Sequence, residues 1–115
     1  MIEKPVSAVE REILRPLWKV HILHHAGESA IVANWMLEEL REHGYRVSPG
    51  TLYPMMGRMT RLGWLQRTAA GRYRLTARGR KALAEVRARL AELQGEVLHR
   101  KRAKSRAKAL DIRPP

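Results

Sequence analysis

Between Ser48 and Arg61 the chain sets hydroxyls, glycines and two arginines at spacings suited to meeting a polyanion. Ser48 and Pro49 read as the cap and first position of a helix, so Ser48, Gly50 and Thr51 bring backbone N–H groups to an end whose dipole attracts anionic oxygens. Arg58 and Arg61 follow a turn apart. A guanidinium at either position fits a guanine edge or a phosphate, and the spacing alone leaves both open. Arg67, Arg72 and Arg74 form a second basic group, in segments that alternate apolar with polar residues.

Other chemistries find little support. Nothing pairs a nucleophile with a base, no glycine-rich phosphate loop is present, and no two carboxylates share an apolar setting, so an enzyme is not expected. With no cysteine, disulfides, thiolate metal sites and thiol redox sensing are excluded. His21 and His25 stand at the i, i+4 spacing that can hold a metal, with His24 between them. No third ligand is obvious, although Glu28 is near in sequence. The expectation is ordinary surface or interface histidines, with neither a metal nor a cofactor.

The net charge of +12 is distributed unevenly. Residues 1–57 hold six Lys and Arg against seven Asp and Glu, whereas residues 58–115 hold seventeen against four. The basic surface therefore begins within one helix and continues through everything after it, and such a surface concentrates polyanions and releases their counterions on contact. There is no run of eighteen apolar residues and no basic-then-apolar leader at the start, so the chain is expected to be soluble and cytoplasmic, without membrane insertion.

The elements that must carry these residues are legible as a series of periodic stretches. Positions 1–8 read as a loose arm. From Val9 to Ala26 apolar residues recur at Ile13, Leu14, Leu17, Val20 and Leu23, with Pro16 either kinking this helix or opening its main part. Residues 26–29 read as a turn. A second helix is expected from Ala30 to His43, with Ile31, Trp35, Leu37 and Leu40 on its apolar side and Gly44 as its stop. The third begins at Ser48 and ends at Gly63. Its stripe of Leu52, Met55, Met59 and Leu62 is assigned to the core, and Thr51, Tyr53, Pro54, Gly57, Arg58 and Arg61 to the opposite face. Pro54 is expected to bend the helix or loosen its first turn.

Residues 64–68 and 72–76 then form a tight antiparallel hairpin around Ala69-Ala70-Gly71, with Leu65, Tyr73 and Leu75 inward and Arg67, Arg72 and Arg74 outward. Thr76 caps a last long helix. Along it Leu83, Val86, Leu90, Leu93 and Val97 repeat as a coiled-coil seam. The fold class is thus mainly α: a winged helix-turn-helix over residues 9–76, with a short β-hairpin wing, and a long C-terminal dimerisation helix over 77–98. Residues 99–115, with six Lys or Arg between His99 and Lys108, read as a basic, disordered tail.

The block Ser48-Pro49-Gly50-Thr51-Leu52-Tyr53-Pro54, then Met59, Leu62-Gly63-Trp64-Leu65 and Tyr73-Arg74-Leu75-Thr76 with Gly79, resembles the signature of PadR-type regulators over positions 12–98. The resemblance implies a transcriptional regulator, a repressor of promoters until an effector binds. Carried over by position, Ser48, Gly50, Thr51 and Tyr53 are contacts to double-stranded DNA, and Leu83 to Val97 the homodimer seam. The wing loop is shorter than the family commonly has, so Arg67, Arg72 and Arg74 are expected to touch phosphates rather than enter the minor groove deeply.

The seam supports dimerisation without the family, because each large side chain withdrawn from water contributes roughly 1.5–3 kcal/mol. A two-fold dimer implies a palindromic operator. Trp18, Trp35 and Trp64 are read first as core, Trp35 and Trp64 at positions that should be buried. Trp18 and Trp35 are the candidates if a small-molecule effector pocket exists, as in relatives that bind planar molecules. A different class of function, a protein- or RNA-interaction module without operator specificity, is disfavoured by the scarcity of exposed stacking aromatics, Tyr53 being the one on the third helix's outer face.

Overall fold

The structure, a computed structural model, describes residues 5–99. The basic tail expected over 99–115 lies, apart from His99, outside the described residues, as do the first four positions of the arm. The described part falls into two compact units that divide after Leu83. Among the described residues no helix is long and apolar enough to cross a membrane.

Helical structure begins at Ala8, where Ser7 Oγ accepts a hydrogen bond from the Glu10 N–H at 3.1 Å, and the Arg11 guanidinium is held by the Val6 carbonyl. Residues 5–8 are therefore tied to the first turn rather than loose. Glu10–Leu14 is then a π-helical turn, with the Arg15 N–H reaching the Glu10 carbonyl at 2.8 Å. Pro16 opens the main helix, α1 (Leu17–Glu28), which is the second of the two readings its position allowed. The wider turn shifts the phase of everything before Pro16, so Ile13 is exposed while Trp18, Ile22, Leu23 and Ala26 form the buried face.

Helix α1 runs through Gly27, which belongs to packing rather than to a turn: a Cβ there would stand 3.0 Å from Leu75 Cδ2. Ile31 is extended, not helical. It exchanges two 2.8 Å backbone hydrogen bonds with Tyr73 and so adds a third short edge to the wing. Helix α2 (Ala33–Glu42) buries Met36, Leu37 and Leu40, and leaves Trp35 45% exposed, so the sequence assignment of Trp35 to the core is wrong by one position. With Ile31 drawn into the wing, α2 starts later and its buried stripe passes through Met36.

Helix α3 (Pro49–Arg61) ends as expected: Gly63 takes φ +85°, a left-handed conformation that glycine adopts without penalty, and the Trp64 N–H closes back onto the Met59 carbonyl at 3.0 Å. Its core stripe is Leu52, Met56 and Met59, all fully buried; Met55 is half-buried and Leu62 is exposed. Two adjacent methionines make both phases possible in sequence, and packing selects Met56. The helix continues through Pro54 without interruption.

Strands β1 (Leu65–Arg67) and β2 (Tyr73–Leu75) pair antiparallel, with Leu65 opposite Leu75 and Arg67 opposite Tyr73. Helix α4 (Ala77–Val97) starts at the predicted cap, where Thr76 Oγ1 accepts from the Gly79 N–H at 2.9 Å and donates to the Gly63 carbonyl. Gly79 is buried against the wing. A Cβ there would meet the Trp64 carbonyl oxygen and Leu75 Cδ1 well inside van der Waals contact.

Candidate nucleic-acid interface

The outer face of α3 presents Gly50, Tyr53, Pro54, Arg58 and Arg61 to solvent, on the side away from Leu52, Met56 and Met59. Beside it runs a shallow groove of about 360 Å³ lined by Lys19 of α1 and by Thr51, Pro54, Met55, Arg58 and Arg61. Three cationic side chains thus border one groove, two from α3 and one from α1, a residue that sequence reasoning had not singled out. Lys19 is found only through the crossing of α1 and α3; nothing in its own sequence neighbourhood marks it. Among the described residues, the guanidinium groups of Arg58 and Arg61 form no hydrogen bond or ion pair with the protein. Three acidic groups of the first half are instead engaged elsewhere, Glu38 with Arg41, Glu28 with His24 and His25, and Glu39 with His25 and His43. Unneutralised guanidinium groups keep their full charge for an external anion.

The start of α3 departs from expectation in its details. Ser48 takes the extended cap conformation, but its hydroxyl donates to Thr51 Oγ1 at 3.1 Å and makes no bond to the helix backbone. The Thr51 N–H donates to the Ser48 carbonyl at 3.1 Å, so it is engaged within the turn rather than open. Ser48 and Gly50 are exposed and Tyr53 is 38% exposed, its ring available on one flank of the helix.

In the wing, alternation corrects the reading of Arg67. Side chains two apart in a strand share a face, so Arg67 lies on the side of Leu65, across from Tyr73, and its guanidinium covers the Tyr73 ring at 4.8 Å while Nε donates to the Gly71 carbonyl at 3.3 Å. Arg74 is on the opposite face with Gln66. Arg72 stands at the end of the turn, where the Thr68 N–H reaches the Arg72 carbonyl at 2.8 Å and Gly71 takes φ +78°. All three arginines are exposed.

The remaining site residues fall as follows. Leu83 is buried in the core of the first unit, which removes it from a surface seam. Farther along, Val86 is half-buried, and Leu90, Leu93 and Val97 are exposed, Val97 at 62%. Trp18 is also core, at 2% exposure with the Arg15 guanidinium 5.6 Å from its ring. Trp35 does border a groove, of about 380 Å³, with His25, Ala30, Val32 and Arg72 among its walls. His21 is half-buried, and its Nε2 lies 2.9 Å from the Tyr45 hydroxyl. Burial, then the neighbouring His43, His25 and His24, hold its imidazole below the ordinary histidine pKa, favouring the neutral form.

A helix-turn-helix whose last helix exposes a basic face, followed by a hairpin bridged to a third strand segment, defines a winged-helix protein of the transcription-regulator class. Residues 22–85 match the Transcriptional regulator PadR-like family, and the chain belongs to that family. It is 48% identical over 95 residues to the Transcriptional regulator Rv3488 of Mycobacterium tuberculosis, an alignment covering 76% of this chain and 89% of that protein. Among solved structures it is similar to a PadR-like transcription factor from Bacteroides fragilis, at 25% identity and a TM-score of 0.64 over 81% of this chain and 98% of that one. The protein smu.1704 from Streptococcus mutans shares the fold, with a TM-score of 0.60 at 20% identity over 84% and 90% of the two chains.

Proposed function

We propose that this PadR-like regulator is a repressor that binds a palindromic operator in double-stranded DNA as a homodimer, in the cytoplasm at the nucleoid, and that it is a binding protein rather than an enzyme. The observation that carries this reading is the unpaired Arg58 and Arg61 on the outer face of α3, bordering one groove with Lys19. The major groove is about 12 Å wide and admits a helix whose outer side chains are small or can extend to base edges. Gly50 and Pro54 keep the middle of this face low. Arg58 and Arg61 then reach bases or phosphates, Ser48, Thr51 and Tyr53 meet the backbone and groove edge, and Arg67, Arg72 and Arg74 meet neighbouring phosphates from the wing.

The exposed Leu90, Leu93 and Val97, with Val86, supply the subunit contact. For an effector, the reading keeps the Trp35 groove and drops Trp18, whose ring has no free face. The test is a binding titration on sequences selected from genomic fragments. Arg58→Ala with Arg61→Ala is expected to abolish specific binding while leaving the oligomeric state intact, and the slope of affinity against salt should fall as phosphate contacts are lost. Unchanged affinity for the selected operator refutes the assignment of α3.

A further inference from the structure

The packing of α1 against α2 assembles a group that the sequence keeps apart. His21 and His25 come from α1 at i, i+4, and Glu39 of α2 and His43, the residue that caps its C-terminus, stand at the same spacing, so each helix brings two potential ligands to the other. Ligand nitrogens of His21, His25 and His43 all lie within 4.8 Å of one another. Glu39 Oε2 touches two of them, His25 Nε2 at 3.4 Å and His43 Nε2 at 3.1 Å. The third ligand that was not obvious from sequence is therefore His43, eighteen residues beyond His25, and Glu39 adjoins two of the three imidazoles.

We propose that His21, His25, Glu39 and His43 bind a divalent transition-metal ion of the zinc class, clamping α1 to α2. Three imidazoles and one carboxylate are the donor set that favours such ions over magnesium or calcium, which prefer all-oxygen sites. The ion takes a position between Glu39 Oε2 and the two imidazole Nε2 atoms, which lie 3.4 and 3.1 Å from that oxygen. Tetrahedral coordination at about 2.0–2.1 Å brings the donor nitrogens to about 3.4 Å from one another. His43, half exposed near the end of α2, can swing in to close that gap. His25 is already oriented for this role: Glu28 Oε1 lies 3.4 Å from its Nδ1, which leaves Nε2 directed at Glu39, the arrangement in which a carboxylate fixes the tautomer of a ligating histidine. The neighbouring trio of His24, His25 and Glu28 is more exposed and shares His25, so the two groups cannot both be filled; Glu28 supports His25, and His24 takes no part in the site.

This inference does not depend on the DNA-binding reading, and its test uses no DNA. The full chain, without an affinity tag and treated with chelator, is titrated with cobalt(II) chloride and followed by visible absorption, then back-titrated with zinc chloride. The expected result is one cobalt per chain with the intense d–d bands of four-coordinate geometry, displaced by one equivalent of zinc, and a higher melting temperature for the loaded protein. His43→Gln and Glu39→Gln are each expected to weaken binding by about tenfold or more, with the far-ultraviolet circular dichroism of the parent. His24→Gln should leave affinity unchanged. Should either variant fail to fold, the other and the parent spectrum still decide. A weak six-coordinate spectrum, the absence of saturation at one equivalent, or affinity that survives both folded variants overturns the proposal.

Discussion

Replacing Gly79 with alanine sets two physical effects against each other, and the structure decides which prevails. By helix propensity alone the change stabilises, because glycine in a helix interior is about 0.8–1.0 kcal/mol worse than alanine. The new Cβ, however, would lie 2.2 Å from the Trp64 carbonyl oxygen and 2.5 Å from Leu75 Cδ1. Reaching even 3.0 Å from the oxygen requires a displacement of about 0.8 Å, and the obstacle is backbone of the wing rather than a rotatable side chain. Overpacking of this kind costs about 1–3 kcal/mol, and a backbone obstacle places it at the upper end, for a net loss of about 2 kcal/mol after the propensity gain. With an m-value of about 1–3 kcal/mol/M in urea, the unfolding midpoint should fall by roughly 1 M. Gly95→Ala in the same helix is the control, since a Cβ there meets nothing within 4 Å. It sits outside the Leu90, Leu93 and Val97 stripe and should stabilise by up to about 1 kcal/mol. Both variants are read by urea titration at one fixed protein concentration, with tryptophan fluorescence and far-ultraviolet circular dichroism as coincident probes. If Gly79→Ala matches or exceeds the parent in stability, α4 does not pack on the wing as described.

Three further outcomes are expected. Met56→Ala should cost about 2–5 kcal/mol by opening a cavity in a fully buried site, while Leu62→Ala should stay within about 0.5 kcal/mol, and equal losses at both would place the core stripe of α3 in the wrong phase. Leu90→Glu with Leu93→Glu should yield monomers in analytical ultracentrifugation and weaken operator binding; a persistent dimer would mean that the subunit contact lies elsewhere. Thr76→Val removes the hydroxyl that bonds both the Gly79 N–H and the Gly63 carbonyl, and should lower stability by about 1 kcal/mol in the same urea titration.

What could be read from the sequence was what local chemistry determines. Gly63 and Thr76 mark the ends of α3 and the start of α4 because a left-handed stop and a hydroxyl cap each depend on one residue and its near neighbours. The hairpin around Gly71 was legible for the same reason. Errors arose where the answer depends on contact between distant segments. The π-turn at Glu10–Leu14 rotated the apolar face of the first helix, exposing Ile13 and burying Trp18. Ile31 reads as helical by periodicity, yet its two bonds to Tyr73 draw it into the wing. Leu83 fits the heptad seam and the core of the first unit equally well by spacing, and packing gives it to the core. On α3, the exposure of the arginines was legible because their helix has a clear start and stop, whereas Lys19 reaches the α3 groove, and His43 and Glu39 reach His25, only through the crossing of helices.

The Ile31 to Tyr73 bridge has a mechanical corollary. Because the connection between α1 and α2 is stitched to the second strand by two backbone bonds, and the first strand follows directly from the end of α3, the hairpin is fastened at both ends to the helices it accompanies. The gauge between the arginines of α3 and those of the wing is consequently preset, and little chain freedom remains to be surrendered when both meet one rigid surface.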